Sequence, residues 1–371
     1  MSWLLPPLEP HFVAALRDVH ADGVAARVAA ARRLERPEPQ REAEARGGLR
    51  TLLTDHAAPV RAAAISSIAT IGRAEDHPDV AALLEDADPL VRELAVIAIA
   101  QIEHPRREAV LRGALTHRSP EVRFQALQAC AALFAEHIAD DALALSRDED
   151  PKLREAATRA LSALPTSDGK AHARLLSLLD DPAPQVRWEA ALGLAPQQEA
   201  AAVHELITSL EQNDRLLDTL DALAHYRLDN VRVAVQDVAN SVLKSPLVVA
   251  AAARTLLKMG ERAPAIASLR RVLRALRTDG RNLALQTIAE WLLTELGPEL
   301  QRLARRPRGV DPEQLVDTVR ALAEGWPAGR TVLTQLARRR GALGDAARAA
   351  QAKVPAAFWP GSEPEPDHSA P

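Results

Sequence analysis

One short phrase recurs along the chain and constrains its fold more than any other feature. The phrase contains a proline, an aliphatic residue within the next two positions, and an arginine directly after that aliphatic residue. Its aliphatic residues are Val60, Val91, Val122, Leu153 and Val186, which are 31, 31, 31 and 33 residues apart. A period of this length is typical of arrays in which small helical units stack on one another.

Each copy of the phrase predicts the start of a helix. Asp88, Ser119, Asp150 and Ser245 each precede a proline, which is the usual order of an N-cap residue and a first-turn proline. The fourth residue after the aliphatic residue is a small Ala, and the eighth is apolar. The pairs are Ala64 with Ile68, Ala95 with Ile99, Ala126 with Cys130, Ala157 with Leu161, and Ala190 with Leu194. These spacings place one apolar stripe on each helix. A helix pair cannot bury such a stripe alone, so neighbouring pairs must stack.

Composition agrees with a helical array. Hydrophobic residues make up 47% of the 371 residues but aromatic residues only 3%. Most of the apolar residues are therefore aliphatic, and the Ala and Leu that recur in the phrases are strong helix formers. We find no alternating runs of the kind that predict strands. The predicted fold is an all-α, right-handed superhelix of about nine helical pairs.

The pattern D-x-x-P-x-V-R-x-x-A resembles the HEAT-like repeat of the phycobilisome-lyase type. The resemblance is close over residues 49–196 and weaker over residues 197–353. It implies that an arginine and a turn aspartate of successive repeats form a polar ladder with a structural role. The arginines implied are Arg61, Arg92, Arg123, Arg154 and Arg187, and the aspartates are Asp55, Asp88, Asp150 and Asp181.

The repeats suggest four segments. Residues 1–48 are predicted to be an N-terminal helical cap, and residues 49–260 HEAT-like repeats of about 31 residues. Residues 261–359 are predicted to be diverged, basic helical repeats, and residues 360–371 a disordered acidic, proline-rich tail. Two further steps of 31 residues from Val186 place the aliphatic position at Leu217 and then at Val248.

Catalytic patterns are sparse. The chain has no glycine-rich phosphate loop, and its single cysteine, Cys130, falls in the apolar stripe, where a small hydrophobic residue is expected. His204-Glu205 is the only pair in the His-Glu order that HEAT-like di-iron hydroxylases repeat, so we expect a solvated His204. We predict no catalytic residue, no metal site and no cofactor. The resemblance to phycobilin lyases leaves chromophore attachment as a minor alternative.

Candidate binding residues lie two positions after the aliphatic residue. This position holds Phe124 and Trp188, with Glu155 between them, and it holds Glu93 in another repeat. Because a position that accepts Glu is at least partly wet, the two rings are candidate anchors for a partner segment, with Glu155 as an acidic contact. The alternative interpretation is that both rings fill gaps between repeats.

Charge separates along the chain. Residues 51–260 contain 21 Lys and Arg against 30 Asp and Glu, whereas residues 261–353 contain 17 against 10. The basic residues form a patch in sequence: Arg270, Arg271, Arg274, Arg277, Arg302, Arg305, Arg306 and Arg308. Three interpretations stay open, namely solvated helix faces, a protein partner, and nucleic acid.

These observations predict a non-enzymatic scaffold or adaptor that binds another protein on the concave face of the solenoid. The alternative is a nucleic-acid-binding HEAT-like protein, such as a relative of the HEAT-like DNA-repair glycosylases. A single cysteine and no signal or membrane-spanning segment favour a cytoplasmic protein with no membrane partner.

Overall fold

The computed structural model describes residues 11–164 and 169–352 and is all-α over these ranges. The chain divides into two compact units, unit 1 up to Gly193 and unit 2 from Leu194. Residue 260, the predicted end of the regular repeats, lies in unit 2 between two helices, and that boundary stays a prediction.

Unit 1 is built from six helical pairs within the described residues. Its helices are α1 (His11–Asp18), α2 (Val24–Arg33), α3 (Glu42–Leu53), α4 (Ala58–Ile71), α5 (His77–Ala82), α6 (Pro89–Gln101), α7 (Arg107–Ala114), α8 (Pro120–Leu133), α9 (Ala139–Leu145), α10 (Pro151–Ser162), α11 (Gly169–Leu178) and α12 (Pro184–Leu194). The odd-numbered helices are the first of each pair. The second helices α2, α4, α6, α8 and α10 pack on one another in succession and form one layer.

Unit 2 contains five more pairs. Its helices are α13 (Val203–Gln212), α14 (Leu216–Leu223), α15 (Asp229–Asn240), α16 (Pro246–Lys258), α17 (Arg262–Arg274), α18 (Arg281–Glu290), α19 (Gly297–Arg305), α20 (Pro312–Leu322), α21 (Pro327–Ala337) and α22 (Ala342–Ala352). First helices α13, α15, α17, α19 and α21 stack in order, and second helices α14 to α22 do the same. The described residues thus form eleven pairs, against the nine predicted.

The N-terminal segment accounts for part of this difference. Helices α1 and α2 pack together as a regular pair, and α2 packs on α4 as the later second helices of unit 1 up to α10 pack on one another. The predicted boundary at residue 48 lies inside α3. Residues 1–10 and the predicted tail, 360–371, lie outside the described residues.

The predicted apolar stripe is the core of unit 1. Val60, Val91, Val122, Leu153 and Val186 are all buried, and so are the residues four and eight positions after each of them. Cys130 is buried in this stripe, which confirms its predicted place in the core.

In unit 2 the extrapolated register fails. Leu217 is exposed and His225 is exposed, whereas Leu220 and Leu223 are buried in α14. The 31-residue spacing does not locate the core at Leu217, because the phrase is lost there and neither a preceding proline nor a following arginine marks the position. Val248 is only half-buried, with Val249 and Ala252 in the core beside it.

Candidate binding surfaces

A ladder of arginine and aspartate side chains connects successive pairs of unit 1. Arg123 donates from Nε and Nη2 to both carboxylate oxygens of Asp148 at 3.0 Å, and Arg154 makes the same pair with Asp181 at 2.9 Å. Arg61 pairs with Asp86 at 2.7 and 2.6 Å. Each arginine also donates from Nη1 to a carbonyl of the turn before its own helix, six residues earlier. One guanidinium therefore fixes both its own turn and the next.

The ladder begins earlier than the sequence indicated. Arg27 of α2 donates to Asp55 at 2.6 and 3.1 Å, and its Nη1 donates to the Ala21 and Asp22 carbonyls. The side chains of Arg27 and Asp55 are 7% and 8% exposed, so this rung is as buried as the later ones. No phrase precedes Arg27, which is why sequence reasoning missed it.

Two of the four predicted ladder aspartates are corrected. Asp55 and Asp181 accept from ladder arginines, as predicted, but Asp88 and Asp150 do not. Asp88 caps α6 by accepting from the Leu90 and Val91 amides, and Asp150 caps α10 by accepting from the Lys152 amide. The ladder positions beside them are Asp86 and Asp148. Their carboxylates also accept from the amides two residues on, at 2.9 Å, which holds the turn.

Among Arg27, Arg61, Arg92, Arg123 and Arg154, only Arg92 has no aspartate carboxylate partner among the described residues. Its Nη1 donates to the Asp86 and Ala87 carbonyls, but at the ladder position of the next repeat stands His117. The His117 Nδ1 accepts from the Ser119 amide at 3.0 Å, so the ring reproduces the turn contact of the aspartate. Its Nε2 lies 3.2 Å from Glu85. The buried Nε of Arg92 has no hydrogen-bond partner among the described residues.

The second helices of unit 1 present one outward face. Its centre is the position six residues after the buried aliphatic residue, where Ser66, Ile97, Gln128 and Arg159 are all exposed. Its flank is the position two residues after the aliphatic residue, where Ala62, Glu93, Phe124 and Glu155 are half-buried. We call these eight residues the second-helix face.

The structure separates the three predicted binding residues. Phe124 and Glu155 lie on the second-helix face of neighbouring helices, α8 and α10, and Glu155 is ion-paired with Arg159 at 3.1 Å. Trp188, by contrast, is only 7% exposed. The expectation of an open ring at Trp188 is therefore wrong, although the same flank position is half-buried in the preceding repeats. A binding role for Phe124 and Glu155 stays a prediction.

Sequence reasoning missed Ile97. This residue is 38% exposed at the centre of the second-helix face, where the neighbouring repeats carry Ser66 and Gln128. It belongs to α6, which packs directly on α8, the helix of Phe124. Comparison of the repeats at the centre position would have found Ile97, since it is the only apolar residue among the four that stand there.

The predicted basic patch divides into two groups in unit 2. Arg274, Arg302, Arg305, Arg306 and Arg308 line one cavity of about 660 Å³, and Arg281 joins them there. Arg270, Arg271 and Arg277 are outside its lining: Arg270 lies 3.2 Å from Glu299, Arg271 donates to the Ala239 and Asn240 carbonyls, and Arg277 pairs with Asp279 at 3.3 Å. The cavity is lined by α17 and α19, which are first helices, and by the segments that follow them.

The loop after α19 holds part of this cavity in place. Gly309 has a φ of 63°, and a methyl group there would lie 2.2 Å from the Cβ of Thr278. Only glycine fits this combination of left-handed backbone and close approach. The loop can therefore lie against the turn before α18, where the Arg308 carbonyl accepts from Arg281 Nη1.

Reactive groups are few among the described residues. Burial, with the nearby Asp141 carboxylate, raises the pKa of the Cys130 thiol to about 12, so it is protonated at neutral pH. His204 is exposed, as predicted. Within residues 11–164 and 169–352, no three His, Cys, Asp or Glu side chains cluster as ligands of a metal ion would.

Comparisons with known proteins agree with the repeat geometry. Residues 77–145, which span α5 to α9, match the family model described as HEAT repeats. No curated protein sequence matches the chain.

Solved structures extend the comparison to most of the chain. An importin β structure superposes with a TM-score of 0.62 at 13% identity and covers 91% of this chain and 56% of its own. Yeast importin β gives a TM-score of 0.57 at 14% identity, with 92% and 56% covered. The CpcE–CpcF complex of phycocyanin lyase from Nostoc covers 64% of this chain and 94% of its own at 17% identity, with a TM-score of 0.41.

The chain therefore carries HEAT-like repeats, and its fold is an all-α HEAT-repeat solenoid. This fold is typical of proteins that serve as interaction scaffolds. No helix in the part of the chain that the structure describes has the length and apolar character needed to span a bilayer.

Proposed function

We propose that the protein is a non-enzymatic adaptor that binds another protein on the second-helix face of unit 1. The observation that carries this proposal is the placement of two apolar side chains, Ile97 and Phe124, on adjacent second helices of that face. Equivalent positions on α4 hold Ser66 and Ala62. Side chains that leave apolar area open on a surface of small and polar residues are the usual anchors of a protein interface.

The charged residues of the second-helix face indicate which kind of partner segment it would bind. Glu93 and Glu155 occupy the positions equivalent to Phe124 on the two neighbouring second helices, α6 and α10. Arg159, the basic residue of the face, is already paired with Glu155 and Glu189. A segment with two apolar side chains and nearby Lys or Arg would complement this surface, and the carboxylates would steer its approach.

The reactive groups support a binding role over catalysis. The one thiol is buried and protonated, and the ladder arginines are committed to the turns of neighbouring pairs. The alternative of nucleic acid binding lacks support on this face, because Arg159, its one basic residue, is already ion-paired with Glu155 and Glu189.

Site-directed photo-cross-linking tests the proposal. A benzoylphenylalanine residue at Gln128, which is exposed at the centre of the face, is expected to capture one protein partner in the native cell. The same residue at Ala109, exposed on the first helix α7, is the matched control and should not capture that partner. Capture of the same protein from both positions, or from Ala109 alone, would refute binding on this face.

A further inference from the structure

The arginine-lined cavity of unit 2 carries more positive charge than its one lining carboxylate neutralises. Six arginines line it, namely Arg274, Arg281, Arg302, Arg305, Arg306 and Arg308, against one carboxylate, that of Glu299. At about 660 Å³ the cavity has the size of a small-molecule site.

Glu299 neutralises only the α17 side of the cavity. It is 4% exposed, accepts from Arg274 at 2.5 Å and lies 3.2 Å from Arg270. This carboxylate thus holds the two α17 arginines. The guanidinium groups of Arg302, Arg305, Arg306 and Arg308 have no hydrogen bond or ion pair to any described residue.

Arg281, which also lines the cavity, has a hydrogen-bond donor that is not used. It is 9% exposed, and its Nη groups donate to the Arg308 and Ala275 carbonyls. Its Nε is buried and has no hydrogen-bond partner among the described residues. A buried donor without a partner costs free energy. Besides its exposed arginines, the cavity lining therefore holds one buried arginine with an unused donor.

We propose that this cavity binds a compact ligand with two or more phosphate groups. Guanidinium groups match phosphate oxygens with paired donors, and each phosphate monoester carries about −1.5 to −2 charges at neutral pH. Two neighbouring phosphates would therefore balance the four unpaired arginines at the mouth. This site is independent of the partner surface proposed for unit 1.

The lining favours a small polyphosphate over nucleic acid. Its apolar members are Leu273 and Leu303, and no aromatic side chain lines the cavity to stack a base. The arginines also converge on one cavity between α17 and α19, whereas a strand of nucleic acid needs charges spread along a groove.

Titration calorimetry of the full chain with inorganic tripolyphosphate tests the site. The double variant Arg302→Gln and Arg305→Gln should weaken binding at least about tenfold, because each lost charge-assisted bond contributes about a factor of ten. These exposed side chains have no partners, so the fold should be unchanged. The control, Arg338→Gln with Arg340→Gln, removes the same charge from exposed residues outside the cavity and should alter affinity less than about twofold.

Three outcomes would overturn the proposal. They are no tripolyphosphate binding to the full chain, an equal loss in the control variant, and tighter binding of a single-stranded oligothymidine that the cavity variant abolishes. The last result would assign the cavity to nucleic acid. None of these outcomes bears on cross-linking from Gln128, so the two proposals fail separately.

Discussion

Replacing His117 with Asp should complete the unfinished rung of the ladder. In the two rungs that follow, an aspartate at this position accepts two bonds from an arginine at 2.9 to 3.0 Å. It also accepts from an amide of its own turn, as His117 already does from Ser119. An aspartate at 117 would therefore keep the turn and give the buried Nε of Arg92 the partner that it lacks.

The expected gain follows from these contacts. Hydrogen bonds to a charged partner contribute about 1.5–3 kcal/mol in a site of this burial. The substitution forfeits the contact of His117 with Glu85, which is 67% exposed and so contributes under about 1 kcal/mol. It also brings the new carboxylate near Glu85, at a similar cost. With about 0.5 kcal/mol for each of these two costs, the net expected stabilisation is about 0.5–2 kcal/mol.

Urea unfolding followed by far-ultraviolet circular dichroism measures this gain, with hydrogen exchange of α6 to α8 as the local readout. His117→Asn is the control, since its amide can hold the turn without offering a charge. In the Arg92→Ala background, His117→Asp should give no gain. Equal stabilisation by Asn, or a gain that persists without Arg92, would refute the ladder account.

Four further predictions follow from the contacts above. Asp148→Ala should destabilise unit 1 by about 3–5 kcal/mol because it leaves Arg123 partly buried without an acid. Asp150→Ala removes only an N-cap and should cost about 1 kcal/mol. Equal urea midpoints for the two variants would contradict the assignment of Asp148 to the ladder and Asp150 to the cap. Trp188→Ala should cost about 3–5 kcal/mol, and Phe124→Ala, only half-buried, about 1 kcal/mol; the reverse order in thermal melts would argue against their placement. Cys130 should react with a thiol reagent only after denaturation, and rapid native labelling would contradict its burial. Burial raises the pKa of the ladder aspartates Asp55, Asp86, Asp148 and Asp181, but the bonds from their arginines and turn amides outweigh it and leave each pKa below its ordinary value. The stability that these aspartates contribute should therefore be fully present above about pH 4 and fall as the pH drops through the lowered pKa values. In an acid titration, Asp148→Asn should lose less stability than the unmodified protein.

The periodicity of the sequence predicted the helices and core of unit 1 because its phrases recur at nearly constant spacing. Val122, Ala126 and Cys130 are buried as that spacing requires. The ladder was predicted only in part, since the phrases before Arg92 and Arg154 each hold two aspartates and the wrong one was chosen at Asp88 and Asp150. The ladder residue lies six positions before each arginine. Counting back from Arg92 and Arg154 gives Asp86 and Asp148, and counting back from Arg123 gives His117.

The binding surfaces were less predictable. Sequence spacing placed Phe124 and Trp188 in equivalent positions, yet one is half-buried and the other buried. Local spacing cannot give this difference, because burial at the flank position depends on what the fold packs beside each repeat. In unit 2 the loss of the phrase hid Arg281, the buried arginine that lines the same cavity as the predicted Arg302 and Arg305.

The affinity of the cross-linked partner for one double variant tests the account most directly. Ile97→Ser with Phe124→Ala gives the second-helix face the residues that α4 carries at Ser66 and Ala62. Leu90→Ser is the matched control, because Leu90 is an exposed apolar residue of the same helix outside the face. We expect the double variant to bind the purified partner at least about tenfold more weakly by calorimetry, with the control unchanged. Unaltered affinity in the double variant, or an equal loss in Leu90→Ser, would contradict binding on this face.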